Sequence, residues 1–192
     1  MSFPTVSLQR AFGFSLLPLK NFNWHLTLTR LFSSRSHYGS HNPISAESFY
    51  TSLLDKSTHI IHLRQIQSQL YTHGLQNNGF IITKLIHVSS NLKEIHYARQ
   101  LFDGFPDQYV FLWNAIIRGY SMHNMFDSVV EMYSRMQQAF VSPDTFTFPD
   151  VLKACGSLLA RRYGRAVHAQ IFRHGLEEDV FVQNGLLSFY VK

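Results

Sequence analysis

The residues most able to do chemistry are histidines, yet they stand without the partners that such chemistry needs. His59 and His62 lie in a basic stretch with Lys56 and Arg64. A metal or catalytic site there would need further carboxylate or cysteine ligands on the same face, and the nearest acid, Asp55, lies across a predicted turn. We therefore expect solvated or loop histidines, no metal site and no cofactor.

The only cysteine is Cys155, so no internal disulfide can form. Apolar residues surround it at helical spacing. This context favours a small buried side chain over a redox group.

Charge and composition set broad limits on the class of protein. The 192 residues are 45% hydrophobic and 15% charged, which is enough to form a sizeable core, and no run of 18 apolar residues predicts a membrane span. The net charge is +5, but residues 1–46 contain four basic residues and no acid, while the remainder has 13 basic and 12 acidic residues. The overall charge is therefore no evidence that the remainder binds a polyanion.

Residues 110–144 have the pattern of one helical hairpin. Trp113, Ile116, Ile117 and Tyr120 recur at 3/4 spacing, and a second apolar series follows the break at residues 123–124. The second series is Val129, Val130, Tyr133 and Met136. A lone hairpin cannot cover both of its apolar faces, so it must stack against neighbours of the same kind.

The chain contains such neighbours, because it resembles itself. At an offset of 101, residues 66–75 match residues 167–176, and at an offset of 70, residues 114–117 match residues 184–187. The units are 47–78, 79–109, 110–144, 145–179 and a partial unit, 180–192. Repeated two-helix units predict an all-α fold, an α-solenoid of stacked helical hairpins.

Three details of this division are open to a structural test. The unit 47–78 is three residues shorter than 145–179, and we place the loss between its two helices. In unit 79–109 we expect residues 89–91 to form the turn and an N-cap, with Gly104 and Pro106 ending the second helix. The partial unit is expected to leave Phe181, Leu186 and Leu187 without a partner.

Residues 1–46 have the composition of an organellar transit peptide preceding the solenoid as an unstructured presequence. They contain eleven Ser or Thr, no acid, and the spaced basic residues Arg10, Lys20, Arg30 and Arg35. Arg30 stands at the third place before a cut after Phe32, a pattern that resembles a plant mitochondrial processing site. Import into mitochondria is expected, with chloroplasts and an unstructured cytosolic tail as the alternatives.

The repeat units resemble the pentatricopeptide repeat. The matching motifs are WNAIIRGY with MYSRM and SPD in 110–144, TFTFPDVLKACGSL with GRAVHAQIFRHGL in 145–179, and YARQLFDGFP in 79–109. The alternation of 35 and 31 residues resembles the plant PLS subclass, and the likeness covers residues 47–192. The resemblance implies single-stranded organellar RNA as the partner, about one base per unit, read by two or three side chains.

The resemblance also implies roles for particular residues. In unit 110–144 it makes Asn114 the base-reading residue, Asp144 its support, and Phe111 and Phe146 the aromatic pair that sandwiches the base. An amide can both donate to and accept from uracil, whereas a carboxylate only accepts and so can orient the amide. The alternatives are a capping or hairpin-stabilising role for Asn114 and an inter-unit core role for the two phenylalanines.

The other units match this scheme less well. Unit 79–109 offers Thr83 with Tyr109 where an acid or amide is usual, so its base preference is open. Unit 145–179 offers Pro149 with Asp179 and is expected to read poorly because proline has no side-chain donor. The partial unit offers Phe181, Asn184 and Lys192, the last at the family's phosphate-facing lysine place, where unit 110–144 has Met122.

Three classes of function compete. The first is an RNA-binding solenoid that recognises a site in an organellar transcript for C-to-U editing or processing, with other editing-complex proteins as possible partners. The second is a tetratricopeptide-like protein-interaction scaffold, which Trp113 and Tyr120 fit but Ile117 and Asp144 do not. The third is the zinc deaminase that ends many proteins of the subclass; this chain lacks its H-x-E and P-C-x-x-C motifs, so it is not predicted to be an enzyme.

Overall fold

The structure is a computed structural model that describes residues 45–192, and within this range all regular secondary structure is helical. This confirms the all-α prediction. No helix of the described part is long and apolar enough to cross a bilayer. The helices are α1 (Ala46–Asp55), α2 (Ile60–Thr72), α3 (Gly79–Asn91), α4 (Ile95–Asp103), α5 (Val110–Met122), α6 (Phe126–Gln138), α7 (Thr147–Ser157), α8 (Arg161–Arg173) and α9 (Val180–Tyr190).

The helices pair into successive hairpins that stack into a solenoid. The first helices of the units, α1, α3, α5, α7 and α9, form one layer in which each packs on the next. The second helices, α2, α4, α6 and α8, form the other layer, and α2, α4 and α6 each contact the first helix of their own unit and that of the following unit. Each hairpin therefore covers an apolar face of its neighbour, as the pattern required.

The turns between helices repeat one geometry. Lys93, Asn124 and Leu159 follow a first helix with a positive φ of 54 to 65°. In each turn the next amide bonds back to a carbonyl five residues earlier, as from Met125 N to Tyr120 O at 3.0 Å. This is the Schellman closure, which satisfies the last carbonyls of the helix and sets the reversal of the chain.

The core of unit 110–144 forms as predicted. Trp113 is fully buried against Phe102, with ring centroids 4.7 Å apart at 72°. Its indole N–H donates to the backbone carbonyl of Gln108 at 3.0 Å, so the polar edge of this large ring is satisfied. Ile116 and Ile117 are also fully buried. Cys155 lies in the same core, with no exposed surface, as expected.

The predicted turn at residues 89–91 is wrong, because α3 continues to Asn91. Ser89 and Ser90 are buried, and their hydroxyls donate to the carbonyls of Leu85 and Ile86 four residues earlier at 2.6 and 2.9 Å. Those bonds let a serine lie inside a helix without a lost hydrogen bond. The turn lies at residues 92–94. As predicted, Gly104 ends α4, whose last residue is Asp103 and whose C-cap is Gly104.

The predicted loss within the first unit is also wrong. Its helices begin at Ala46 and Ile60, and those of the unit 145–179 begin at Thr147 and Arg161, so both pairs differ by the same 101 residues. The first unit therefore begins before residue 47, with Ser45 capping α1 by accepting from Ser48 N at 3.1 Å. The rest of the predicted presequence lies outside the described residues.

The partial unit forms one helix, α9, which packs on α7. Phe181 and Leu187 are exposed, as predicted, but Leu186 is half-buried against the core. Leu186 differs because Gly185, beside it, lies against Pro149 and Leu152 and lets α9 approach α7 closely.

Candidate functional site

The predicted RNA-reading residues lie along the exposed face of the layer of first helices. Three rows cross this face, because residues three and seven places after a given residue share its side of a helix. We define the rows by their members on α3, α5, α7 and α9. The aromatic row is Phe80, Phe111, Phe146 and Phe181; the middle row is Thr83, Asn114, Pro149 and Asn184; the basic row is His87, Arg118 and Lys153, with Ser188 at its end.

The aromatic row faces solvent. Its four side chains are between 60 and 64% exposed, although each belongs to a helix that is otherwise well packed. The alternative that Phe111 and Phe146 are inter-unit core therefore does not hold. A row of exposed rings has no packing explanation within the described residues and is available for stacking.

The spacing of the rings bears on what could enter between them. Phe146 and Phe181 have centroids 6.5 Å apart with an angle of 34° between the ring planes. A flat base stacked on both faces needs roughly twice the 3.5 Å carbon contact distance, about 7 Å. The rings of Phe146 and Phe181 would therefore have to move apart by about 0.5 Å and become more parallel to sandwich a base. Tyr109 packs edge-on against Phe111 at 6.1 Å and restricts that ring.

Asn114 lies at the centre of a network that joins two units. Its Nδ2 donates to Asp144 Oδ1 at 2.8 Å, and its Oδ1 accepts from the hydroxyl of Thr147 at 2.6 Å. Asp144 Oδ1 also accepts from the backbone amides of Phe146 and Thr147, at 3.0 and 3.1 Å. Thr147 is fully buried at the start of α7. The amide of Asn114 is thus held on both sides.

The network leaves Asn114 with unused hydrogen-bonding capacity. A side-chain amide has two N–H donors and two lone pairs on oxygen. Asp144 takes one donor and Thr147 fills one lone pair, so one donor and one acceptor remain on a half-buried side chain. That pair can bind one edge of a base while its orientation stays fixed.

Thr147 was missed by the sequence analysis. Its position three residues after Asp144 could have indicated it, because a hydroxyl at that position can form a hydrogen bond with an aspartate at the start of a helix. The structure shows this pairing, in which Asp144 N donates to Thr147 Oγ1 at 3.1 Å.

In unit 79–109 a tyrosine occupies the supporting place. Tyr109 Oη lies 3.1 Å from Thr83 Oγ1, which itself donates to Gly79 O at 2.8 Å. Because the single proton of Thr83 is used on Gly79, Tyr109 is the donor in the second bond. Gly79 is needed here, since a Cβ at that position would collide with the phenol ring of Tyr109.

The two remaining units lack this pairing. Asp179 Oδ1 accepts from the amides of Phe181 and Val182, at 2.9 and 3.1 Å, and so caps α9. Pro149 offers Asp179 no side-chain donor, and Asn184 is exposed without a hydrogen bond to the described residues. Lys192 Nζ donates to Ser157 Oγ at 3.0 Å, and Met122, its counterpart in unit 110–144, is 45% exposed.

The basic row was also missed. Its signal was a cationic or imidazole side chain seven residues after the phenylalanine in three successive units. The pKa of His87 is lowered by burial and by the charges of Lys84 and Arg118, against which Asp55 acts in the opposite direction. His87 and Arg118 therefore lie close enough across α3 and α5 for their charges to interact.

The histidines and the cysteine form no metal centre within residues 45–192, where no group of three or more His, Cys, Asp or Glu side chains is placed to hold an ion. His59 instead caps α2, accepting from Ile61 N at 3.3 Å. Burial raises the pKa of Cys155 to about 11, so its thiol stays protonated near neutral pH.

Comparison with known proteins finds similarity to an established helical repeat. Residues 109–157 match the PPR repeat family. The chain is 56% identical over 149 residues to the pentatricopeptide repeat-containing protein At3g12770 of Arabidopsis thaliana, covering 78% of this chain and 22% of that protein. It is 33% identical over 196 residues to the pentatricopeptide repeat-containing protein At5g44230 of the same plant, covering 98% of this chain and 30% of that protein. The chain thus spans less than a third of the length of these relatives.

Proposed function

We propose that this chain, which is similar to pentatricopeptide repeat-containing proteins, binds single-stranded RNA base by base along the exposed face of its first helices. The bases would stack between rings of the aromatic row. The middle row would contact their edges. Single strands suit this arrangement because their bases are free to be splayed out and read.

The observation that carries the proposal is the network of Asn114, Asp144 and Thr147. It joins consecutive units at the place where the two exposed rings Phe111 and Phe146 flank the face. A capping role explains the bonds from Asp144 to the backbone amides of α7. It does not explain why the carboxamide of Asn114 is held there with one donor and one acceptor still free.

The free pair on Asn114 supports a preference for uracil. Uracil presents a carbonyl acceptor beside a ring N–H donor, and the amide offers the complementary donor and acceptor. Unit 110–144 would therefore provide most of the base selectivity of this chain. Unit 145–179 would add little, since Pro149 has no group to offer and Asp179 is used as a cap.

The wider role we propose is recognition of a site in a plant organellar transcript for C-to-U editing or processing. The PLS-like alternation of unit lengths supports the editing role. Other editing-complex proteins would be the partners in that role. The acid-free, basic composition of residues 1–46 supports import into mitochondria, with chloroplasts as the alternative.

Competition binding tests the proposal. The full chain is titrated at low salt against a short fluorescent oligouridylate, and the same sequence as a duplex with oligoadenylate serves as competitor. We expect the single strand to displace the probe and the duplex to do so poorly. Equal competition by both would mean that charge alone holds the RNA, and the absence of binding would favour the protein-scaffold alternative.

Two alanine substitutions test whether RNA binds at the aromatic row. Phe111→Ala is expected to weaken binding by on the order of 1–3 kcal/mol, the usual effect of losing one base stack. Phe172→Ala is the matched control, because Phe172 is similarly exposed but lies on α8 in the second layer. Similar losses in both variants would count against the aromatic row.

A further inference from the structure

The basic row has no role in the proposed reading of bases, yet it runs parallel to the aromatic row. His87, Arg118 and Lys153 each stand seven residues after a phenylalanine of the aromatic row. At a rise of 1.5 Å per residue, the two rows lie roughly 10 Å apart along the helices. The middle row lies between them.

The charges of this row are largely unpaired. Arg118 is exposed and forms no ion pair with any described residue. Lys153 donates one hydrogen bond, to Ser121 O at 3.2 Å, and its Nζ lies 5.9 Å from the centroid of the Phe126 ring. Neither contact brings a negative charge to this lysine. Of the nearby acids, Asp55 is engaged with Lys84 at 2.6 Å, and Asp150, one turn before Lys153, forms no ion pair with it.

The residue position that usually contacts phosphate in this repeat family is occupied by uncharged side chains in the same units. Where the repeat family has a lysine, units 79–109, 110–144 and 145–179 have Asn91, Met122 and Ser157. If the bases occupy the aromatic row, the sugar-phosphate backbone must run along one side of it. The remaining uncompensated cations on this face of the three units are those of the basic row.

We infer that Arg118 and Lys153, with His87 beside them, bind consecutive phosphates of the single-stranded RNA whose bases lie between the rings of the aromatic row. This assignment rests on the proposed function and adds the backbone contact that the base-reading residues do not supply. Each phosphate contact releases condensed counterions, so it contributes to the salt dependence of binding.

His87 should make the affinity for RNA depend on pH. The groups that face it are Lys84 on its own helix, Arg118 on α5 and Asp55 on α1. Burial and the two cations hold the pKa of His87 below its ordinary value, which favours the neutral ring in the free protein. A bound phosphate favours the protonated ring, so affinity should rise as the pH is lowered from neutral through the range in which His87 takes up a proton.

The test measures how binding of the full chain to a fluorescent oligouridylate changes with salt. The slope of log K against log salt changes by about 0.7 for each phosphate contact with a single strand. We expect Arg118→Gln to reduce the slope by about 0.7, and the double variant with Lys153→Gln by about 1.4. Arg118 has no bond within the described residues, so its variant should keep the wild-type melting temperature.

The matched control removes two positive charges, as the double basic-row variant does, but from the layer of second helices. Arg162 and Arg173 are exposed on α8, and the double variant Arg162→Gln and Arg173→Gln should keep the wild-type slope. A second readout uses His87→Gln, which should lose the gain in affinity at acid pH. Oligouridylate has no base that takes up a proton in this range, so the change belongs to the protein.

Each other outcome overturns the assignment. Binding with the wild-type slope in Arg118→Gln would exclude the phosphate contact while leaving the proposed function intact. Equal losses in the basic-row and α8 variants would mean a general effect of net charge. No measurable RNA binding at low salt would overturn the proposed function, and the phosphate contact with it.

Discussion

Asn114 donates a 2.8 Å hydrogen bond to Asp144, and the same carboxylate oxygen accepts the first amides of the following helix. One aspartate therefore both begins α7 and orients an amide on α5. The stacking of two units and the direction of a base-reading group are set by the same atoms. Any change in the angle between these units would turn the amide.

Replacing Asn114 tests base reading apart from folding. Asn114→Thr with Asp144 kept is expected to move the preference of unit 110–144 from uracil toward guanine, if the pairing scheme of the family applies. Each good base contact contributes on the order of 1–3 kcal/mol, so the change should appear as about tenfold or more in relative affinity. The measurement is competition by oligonucleotides that differ at one nucleotide.

A matched variant controls for register. Asn184→Thr, at the same place in the partial unit, should leave unchanged the base preference at the nucleotide bound by unit 110–144. A uniform loss of affinity for all four bases in Asn114→Thr, with reduced helicity, would show that Asn114 is structural.

The next prediction compares two leucines at equivalent places. Leu152 on α7 is fully buried, and Leu187, 35 residues later on α9, is 65% exposed. Leu152→Ala is expected to destabilise the fold by about 2–5 kcal/mol because it leaves a cavity between units. Leu187→Ala should change stability by less than about 0.5 kcal/mol. Urea unfolding followed by circular dichroism measures both, and equal losses would contradict the packing of α9 described above.

Cys155 is expected to be inert in the folded chain. Its pKa is raised by burial from 9.0 to about 11, so the folded state favours the neutral thiol. This contribution to stability is complete below pH 9 and is lost as the pH rises toward 11. A thiol-specific chromogenic reagent should react only after denaturant is added, and Cys155→Ala should remove this part of the alkaline destabilisation. Rapid modification of the native protein would contradict the burial.

Import can be tested with residues 1–46 alone, fused to a fluorescent reporter. We expect the fusion to enter mitochondria, since the segment is basic and free of acids. Replacing its four basic residues with glutamine should leave the reporter in the cytosol. Delivery of the unaltered fusion to chloroplasts would contradict the mitochondrial assignment.

Most of the fold could be predicted from local pattern. Residues such as Trp113, Ile116 and Tyr120 recur with the period of a helix, and turn residues such as Gly104 mark helix ends. Repetition of these patterns along the chain requires stacking, because one hairpin cannot bury two apolar faces. The turn at residues 89–91 was predicted wrongly since a polar residue near a helix end can be satisfied inside the helix, as Ser90 is by the carbonyl of Ile86.

Helical periodicity is enough to identify which residues share a helix face, but what covers that face depends on how the helices pack. Phe111 and Trp113 are both aromatic residues at the start of α5, yet one is 60% exposed and the other 1%. The difference arises because Trp113 faces α4, where it packs against Phe102, whereas Phe111 lies on the face of α5 that the neighbouring helices leave exposed. The same packing brings Thr147 to Asn114 and Arg118 to His87, across distances in sequence that local periodicity does not report.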